Sequence, residues 1–281
     1  MGIEIKELGI AGDFQLDEAI LLGALYQRAT GEHGKLMLEG EEKSLRAMSG
    51  VVPSFVPEPY VVGQSTGTAP ETYFLLMEFL ELSTDLPEPA TFCERLADLH
   101  RNSVSPTGKF GFDVITYQGP HEQNTEWTDN WCLFYTRLLT QYFETEIGNN
   151  GPSEEYEETF ATLKKHVIPK ILEPLQAGGR ELKPCLLHGD LWEGNCSTNL
   201  TTGEPVTFDA ASFYGHNELD LAMWRRDISR FSKSYFRQYL RCMPPSEPKE
   251  QWDDRNRLYA ITYEIAHSNA WPASFLDQRE M

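Results

Sequence analysis

Apolar and polar positions divide this chain into two regimes that meet near residue 80. In the first, residues 19–30 read as a short helix or strand end, and Gly31-Glu32-His33-Gly34 reads as a turn. Leu38, Leu45 and Met48 then recur at helical spacing, which predicts a short helix over residues 39–48 with acids toward its start. The continuous run Thr72-Tyr73-Phe74-Leu75-Leu76-Met77, preceded by the Gly/Thr/Pro-rich residues 63–70, predicts a buried strand. Pro53, Pro57 and Pro59 make the link between helix and strand extended. From Pro89 onward the period is helical. Phe92, Leu96 and Leu99 form one stripe, and Trp127, Trp131, Phe134, Leu138 and Tyr142 form another. A third helix is expected after Ser153, whose hydroxyl can cap it, with Glu154, Glu155, Glu157 and Glu158 at the positive end of its dipole. Its inner stripe is Tyr156, Phe160, Leu163 and Val167, and Pro169 is expected to kink or end it. A strand-containing part up to about residue 80 and a larger helical part after it leave a cleft between them as the expected ligand site.

Composition narrows the class. The 281 residues are 40% hydrophobic and carry a formal net charge of −19, with no local basic patch, which argues against nucleic acid and anionic membranes as partners. The five cysteines are scattered without a CxxC pair, so neither a disulfide framework nor a zinc ribbon is expected. The longest apolar run near the start, residues 19–26, is too short to span a bilayer and follows no secretory leader, so a cytoplasmic protein is expected.

One stretch carries chemistry. Apolar residues 185–187 run into His188-Gly189-Asp190; Asn195 follows five residues after the aspartate, and a second apolar run, Val206-Thr207-Phe208, ends in Asp209. Phosphoryl transfer needs a carboxylate that accepts the acceptor's hydroxyl proton, and oxygen ligands for Mg²⁺ bridging the phosphates. Asp190 suits the base, and Asn195 and Asp209 suit the metal. The spacing alone also fits a polar turn between two strands of a hairpin.

The wider sequence decides between these. His188-Gly189-Asp190-Leu191-Trp192-x-Gly194-Asn195 and Phe208-Asp209-Ala210-Ala211-Ser212-Phe213-Tyr214-Gly215-His216 resemble the fructosamine kinases, or ketosamine 3-kinases, whose fold is related to aminoglycoside phosphotransferases and protein kinases. Leu96-Ala97-Asp98-Leu99-His100, Gly108-x-Phe110-Gly111-Phe112-Asp113 and Trp127-x-x-x-Trp131-x-x-Phe134-Tyr135 extend the resemblance, and residues 243–248 are similar to the fungal-type protein-ribulosamine 3-kinases. The resemblance covers residues 31–281 or nearly so. It implies an α+β, protein-kinase-like two-lobe fold of the aminoglycoside phosphotransferase type: an N-terminal lobe over residues 1–80, with a hinge strand at 72–79, and a mainly helical C-terminal lobe over 81–281. It implies ATP as co-substrate, Mg²⁺ as cofactor, and 3-phosphorylation of ribulosamine or fructosamine carried on protein lysines or small ketosamines. The phosphate then eliminates and frees the amine. By the same resemblance Asp190 is the base, Asn195 and Asp209 hold Mg²⁺, Glu78, Phe79 and Leu80 form the adenine hinge, and Trp192, His216, Trp127 and Trp131 shape the sugar pocket. His188 is expected to brace the loop rather than titrate.

The pattern departs from the family at the phosphate end. Glu41 matches the helix glutamate of kinase-like folds, but the strand lysine that should pair with it falls on Gln27. Arg28 is the nearest cation, and strand alternation sends it to the opposite face. Lys35 reads as a loop residue, since the glycines around it do not make a Walker loop. Residues 1–24 do not resemble the two strands and covering loop expected ahead of Gln27, so the N-terminal lobe is expected to be truncated or replaced, and the chain stops at Met281 where the family's last helix would continue. Two alternatives follow: a catalytically impaired binding protein that keeps the ketosamine pocket, and a phosphotransferase for a small-molecule alcohol such as an aminoglycoside or choline.

Overall fold

The computed structural model describes residues 24–270; the expectations for the N-terminal residues up to 23, and for Phe275-Leu276-Asp277-Gln278, lie outside them. Strand β1 (Ala24–Thr30) pairs antiparallel with β3 (Thr72–Glu78), which pairs in turn with β2 (Pro59–Gln64). Opposed residues of an antiparallel pair share a face. Gln27 lies opposite Leu75, on the face packed by helix α1 (Gly31–Val51), whereas Arg28 lies opposite Phe74, on the face where Ala24, Tyr26 and Leu76 cluster. Alternation therefore places Gln27 and Arg28 on opposite faces of β1, as the sequence implied, yet both border one cavity.

Helix α1 corrects the reading of residues 31–38. No turn interrupts it, and Lys35 is a helical residue paired with Glu32 at 3.4 Å. Gly31 takes a left-handed φ of +71° where the helix begins, and Gly34 serves close approach: a Cβ there would lie 2.7 Å from the Ala29 Cβ, so only glycine lets the helix start against its own strand. Leu38, Leu45 and Met48 are buried against Leu75, Phe92 and Leu96, the core under the sheet.

Helix α2 (Pro89–Asn102) opens with the Glu88 carboxylate accepting from the amides of Ala90 and Thr91. It packs against α6 (Lys233–Cys242), and α3 (Trp131–Asn150) packs against α7 (Trp252–Ala270). Asn130 caps α3 by accepting from the Leu133 amide, so Trp127 lies ahead of the helix and not on its stripe. Helix α4 (Glu154–Thr162) does begin after Ser153, but the Ser153 hydroxyl does not cap it; the carbonyl accepts from Glu157 N at 2.9 Å. Pro169 does not end this segment. A π turn (Leu163–Val167), in which Ile168 N donates to the Leu163 carbonyl, passes directly into α5 (Ile168–Leu172), and this wider turn just ahead of Pro169 is where the helix departs from α geometry.

Short strands complete the lower part: the hairpin β4 (Thr116–Gln118) and β5 (His121–Gln123), the pair β6 (Cys185–Leu186) and β9 (Tyr214–Gly215), and the pair β7 (Cys196–Thr198) and β8 (Pro205–Thr207). Among the described residues no helix is long and apolar enough to cross a membrane.

Candidate active site

The apolar strand β6 enters the interior and delivers His188-Gly189-Asp190 at its end. Gly189 adopts φ +85°, and a Cβ there would sit 2.0 Å from the Ala211 carbonyl oxygen, so this position admits no side chain. Asp220 holds the loop from beneath. Its Oδ2 accepts from His188 N at 2.8 Å and its Oδ1 from Gly189 N at 2.9 Å, while His100 Nε2 lies 3.0 Å from Oδ2. Burial opposes the charge on Asp220, but the hydrogen bond and charge of His100 and the Gly189 amide outweigh it, and the carboxyl is held below its usual range. The Tyr239 hydroxyl, 2.6 Å from His100 Nδ1, fixes the imidazole from its other side.

His188 is fully buried, with Nε2 3.1 Å from the Phe208 carbonyl and Nδ1 3.3 Å from the Asp190 amide. Burial pushes its pKa down, so the neutral ring donates through Nε2 and accepts through Nδ1, tying the His-Gly-Asp loop to the segment ending in Asp209. This is the bracing role expected from the sequence.

Asp190 accepts at Oδ1 from Gln118 Nε2 at 3.0 Å and at Oδ2 from Asn195 Nδ2 at 3.3 Å. Burial raises its pKa to about 7, and the charges of Asp209 and Asp220 add to this against the two amide hydrogen bonds. Asn195 Nδ2 also reaches the Asp190 carbonyl at 3.0 Å and the Asp209 carbonyl at 3.5 Å, so one side-chain amide joins both aspartates. Asp209 itself has φ +57°, a left-handed conformation that turns its side chain out of the line of β8.

Two cavities meet at Asp209. The larger, about 530 Å³, is bordered by Asp190, Trp192, Glu193, Met223 and Tyr263. The smaller, about 210 Å³, is bordered by Gln27, Arg28, Glu41, Tyr117 and Ala210. Asp209 and Gly119 border both, so a phosphate-sized space and an acceptor-sized space are joined at a carboxylate. In the smaller space the Gln27 side chain accompanies Glu41, whose pKa rises to about 8 through desolvation and the Asp209 charge, with Gln27 acting against the rise. An amide thus replaces the expected ion pair.

The donor set fits Mg²⁺. Asn195 spends its NH₂ group on the protein and keeps its carbonyl oxygen, and Asp209 supplies a carboxylate that accepts no hydrogen bond within the described chain. Mg²⁺ uses one or two protein oxygens together with phosphates and water, so no dedicated cage is required, and among the described residues no group of three or more His, Cys, Asp or Glu forms one.

Asp190, Trp192, Asn195, Asp209 and Glu41 are therefore brought together. Glu78 ends β3 and its carboxylate accepts from Glu58 N at 3.3 Å; Phe79 and Leu80 follow directly, with Phe79 exposed. Three expected pocket residues are not at the cavity. Trp131 is fully buried, donating to the Tyr259 hydroxyl at 2.7 Å and stacked on Phe134. His216 is fully buried between the Tyr259 and Ser246 hydroxyls. Trp127 is half-buried and stacks on Tyr214. Each finds an apolar or hydrogen-bonded slot that satisfies it better than a wet cavity would. Residues 243–248 staple this region: the Arg255–Glu218 ion pair receives the Ser246 amide and donates to the Ser246 and Pro248 carbonyls. Sequence reasoning missed Asp220 and Gln118, neither of which sits in a motif; for Gln118 the one local signal is Tyr142, a helical-stripe residue whose hydroxyl needs a partner when buried.

The sequence model described as fructosamine kinase matches residues 25–281. A chloroplastic protein-ribulosamine 3-kinase of Oryza sativa subsp. indica is 32% identical over 263 residues, spanning 90% of this chain and 69% of its own. A ketosamine-3-kinase of Mus musculus is 30% identical over 261 residues, spanning 85% and 80%. Among crystal structures, a protein of Haemophilus somnus 129PT assigned as a fructosamine-3-kinase superposes with TM-score 0.71 at 22% identity, covering 89% of this chain and 78% of that one. The ADP-bound aminoglycoside phosphotransferase APH(2'')-Ib gives 0.57 at 12% identity, covering 89% and 80%. These two confirm the protein-kinase-like fold. Sequence match and geometry agree that the chain belongs to the fructosamine kinase family.

Proposed function

We propose that this chain transfers the γ-phosphoryl group of ATP to the 3-hydroxyl of a ribulosamine or fructosamine on a protein lysine, in the cytoplasm, as the first step of deglycation. The observation that carries this reading is Asp190: a carboxylate oriented by two amides, bordering an acceptor-sized cavity that joins a phosphate-sized one. Asp190 takes the hydroxyl proton as the oxygen bonds to phosphorus and the bond to the ADP oxygen breaks. Asn195 and Asp209 would hold Mg²⁺, which when bound neutralises charge on the phosphates. Trp192, 42% exposed at the cavity, offers a ring face to the sugar. The net charge of −19 favours an acceptor with a protonated amine.

The test is a panel in which the chain, ATP and Mg²⁺ meet ribuloselysine, fructoselysine, ribose, fructose and an aminoglycoside, with phosphate transfer followed by phosphorus NMR. Transfer to the ketosamines is expected to exceed the others by at least about ten-fold in kcat/KM, the size of one charged contact. Equal transfer to free sugar, or preference for the aminoglycoside, would reject the reading.

Gln27, which borders the smaller cavity with Glu41 where the family has a lysine, favours a second reading, the impaired kinase. Without a lysine, ATP should bind weakly and only with Mg²⁺. Gln27→Lys is expected to tighten ATP by roughly ten-fold or more, since a charged hydrogen bond contributes about 1.5–3 kcal/mol. Unchanged affinity by calorimetry would mean that another cation, Arg28 at the cavity edge, already serves the phosphates.

A further inference from the structure

The hairpin β4–β5 belongs to no motif of the sequence, yet it supplies a hydrogen-bond donor to Asp190. Gln118, the last residue of β4, is 6% exposed. Its Nε2 donates to Asp190 Oδ1 at 3.0 Å, and its Oε1 accepts from the Tyr142 hydroxyl at 2.9 Å. With Asp190 ionised, the form that can act as base, the carboxylate only accepts, so the amide nitrogen must face it; the amide oxygen then faces Tyr142, whose single proton must point at it. The relay has one orientation.

Its frame is rigid. Gln123 in β5 donates to Thr116 Oγ1 at 3.2 Å and to the Ala211 carbonyl at 2.9 Å, and Asn124 N donates to Gln141 Oε1 at 2.6 Å, fastening the hairpin to α3 and to the segment after Asp209. The turn residue Gly119 borders both cavities. With Asn195 on Oδ2, each Asp190 oxygen carries one amide N–H and keeps one lone pair.

We propose that Gln118, held by Tyr142, is a positioning residue that fixes the plane of the Asp190 carboxylate, so that its remaining lone pair faces the acceptor hydroxyl. The proposal rests on the reading of Asp190 as base. Without Gln118 the carboxylate is anchored by Asn195 alone, and its terminal torsion, which is intrinsically broad, is free to swing away from the reactive geometry.

The experiment uses the full chain with Gln118→Leu, Tyr142→Phe, Asp190→Asn and the double variant Gln118→Leu/Asp190→Asn. Gln118→Leu is expected to lower kcat for the ketosamine about ten-fold with KM for ATP and acceptor changed less than about two-fold; Tyr142→Phe acts in the same direction, by about three-fold. In the Asp190→Asn background the Gln118→Leu loss should vanish, because the two residues act as a unit. An equal loss in both backgrounds would overturn the proposal, as would a rise in KM with kcat unchanged. A second readout needs no activity: the ¹⁵N-labelled side-chain amide of Gln118 should shift its proton resonance in Asp190→Asn and in Tyr142→Phe. An unmoved resonance overturns the positioning role. If the variants show these shifts but the wild-type chain phosphorylates no ketosamine, the proposed activity is rejected and the positioning of Asp190 stands.

Discussion

Replacing Asp190 by Asn is expected to lower ketosamine phosphorylation by about 10²- to 10⁴-fold, the range for a lost general base, while ATP affinity stays within about two-fold. Asn keeps the size of the side chain but cannot take the hydroxyl proton, and the smaller cavity, proposed for the phosphates, does not include Asp190 in its lining. The fold should not suffer. Asp190 has its folded pKa raised to about 7, above the ordinary carboxylate value, so its favourable contribution is present only at low pH and is lost as pH rises through 7. Removing the charge therefore leaves stability at pH 8 equal to or above that of the wild type, although the Asn195 contact at 3.3 Å is lost. Single-turnover kinetics and thermal melts on the same preparation check both halves, and near-normal turnover would remove Asp190 from the mechanism.

Asp220→Ala is expected to be the most damaging change to the loop. It strips the acceptor from three buried donors, the amides of His188 and Gly189 and the ring N–H of His100, with no route for water to replace it. Each buried donor left without an acceptor costs about 1–3 kcal/mol, so a loss of at least about 3 kcal/mol is expected, which in a chain of this size lowers Tm by roughly 6 °C or more. Asp220→Asn retains one acceptor oxygen and should lose less. Activity should fall below detection for Asp220→Ala even where circular dichroism shows a folded chain, because the His188–Asp190 backbone is no longer held. A loss under about 1 kcal/mol by urea titration would show that Ala211 and Phe208, which also bond this loop, are sufficient.

The parts of this molecule readable from the chain are those in which cause and effect are close in sequence. The run Thr72–Met77 is a strand because its side chains are apolar on both faces, and the stripes Phe92, Leu96, Leu99 and Trp131, Phe134, Leu138 are helical because their period is. Asp190, Asn195 and Asp209 could be picked out because phosphoryl transfer constrains residue type and spacing within one loop and the next strand end. Even there a local rule misled where a distant contact intervened. The glycines at 31 and 34 signal a turn by propensity, yet the helix they begin is held by the sheet and by the core beneath it.

Other features depend on partners that only folding brings near. Gln118 and Asp190 are 72 residues apart, His100 and Asp220 are 120 apart, and Trp131 and Tyr259 are 128 apart. No local pattern marks such a pair, because a polar side chain is stabilised in the interior by whichever complementary group arrives there. So spacing, together with the resemblance of the surrounding motifs to the fructosamine kinases, was enough to pick out the loop, and the hydrophobic pattern was enough for the strand at 72–77 and the helices that follow Pro89 and Ser153. Packing decided that Trp131 and His216 belong to the core and that Gln118 donates to Asp190, since each of these follows from burial beside a residue remote in the chain.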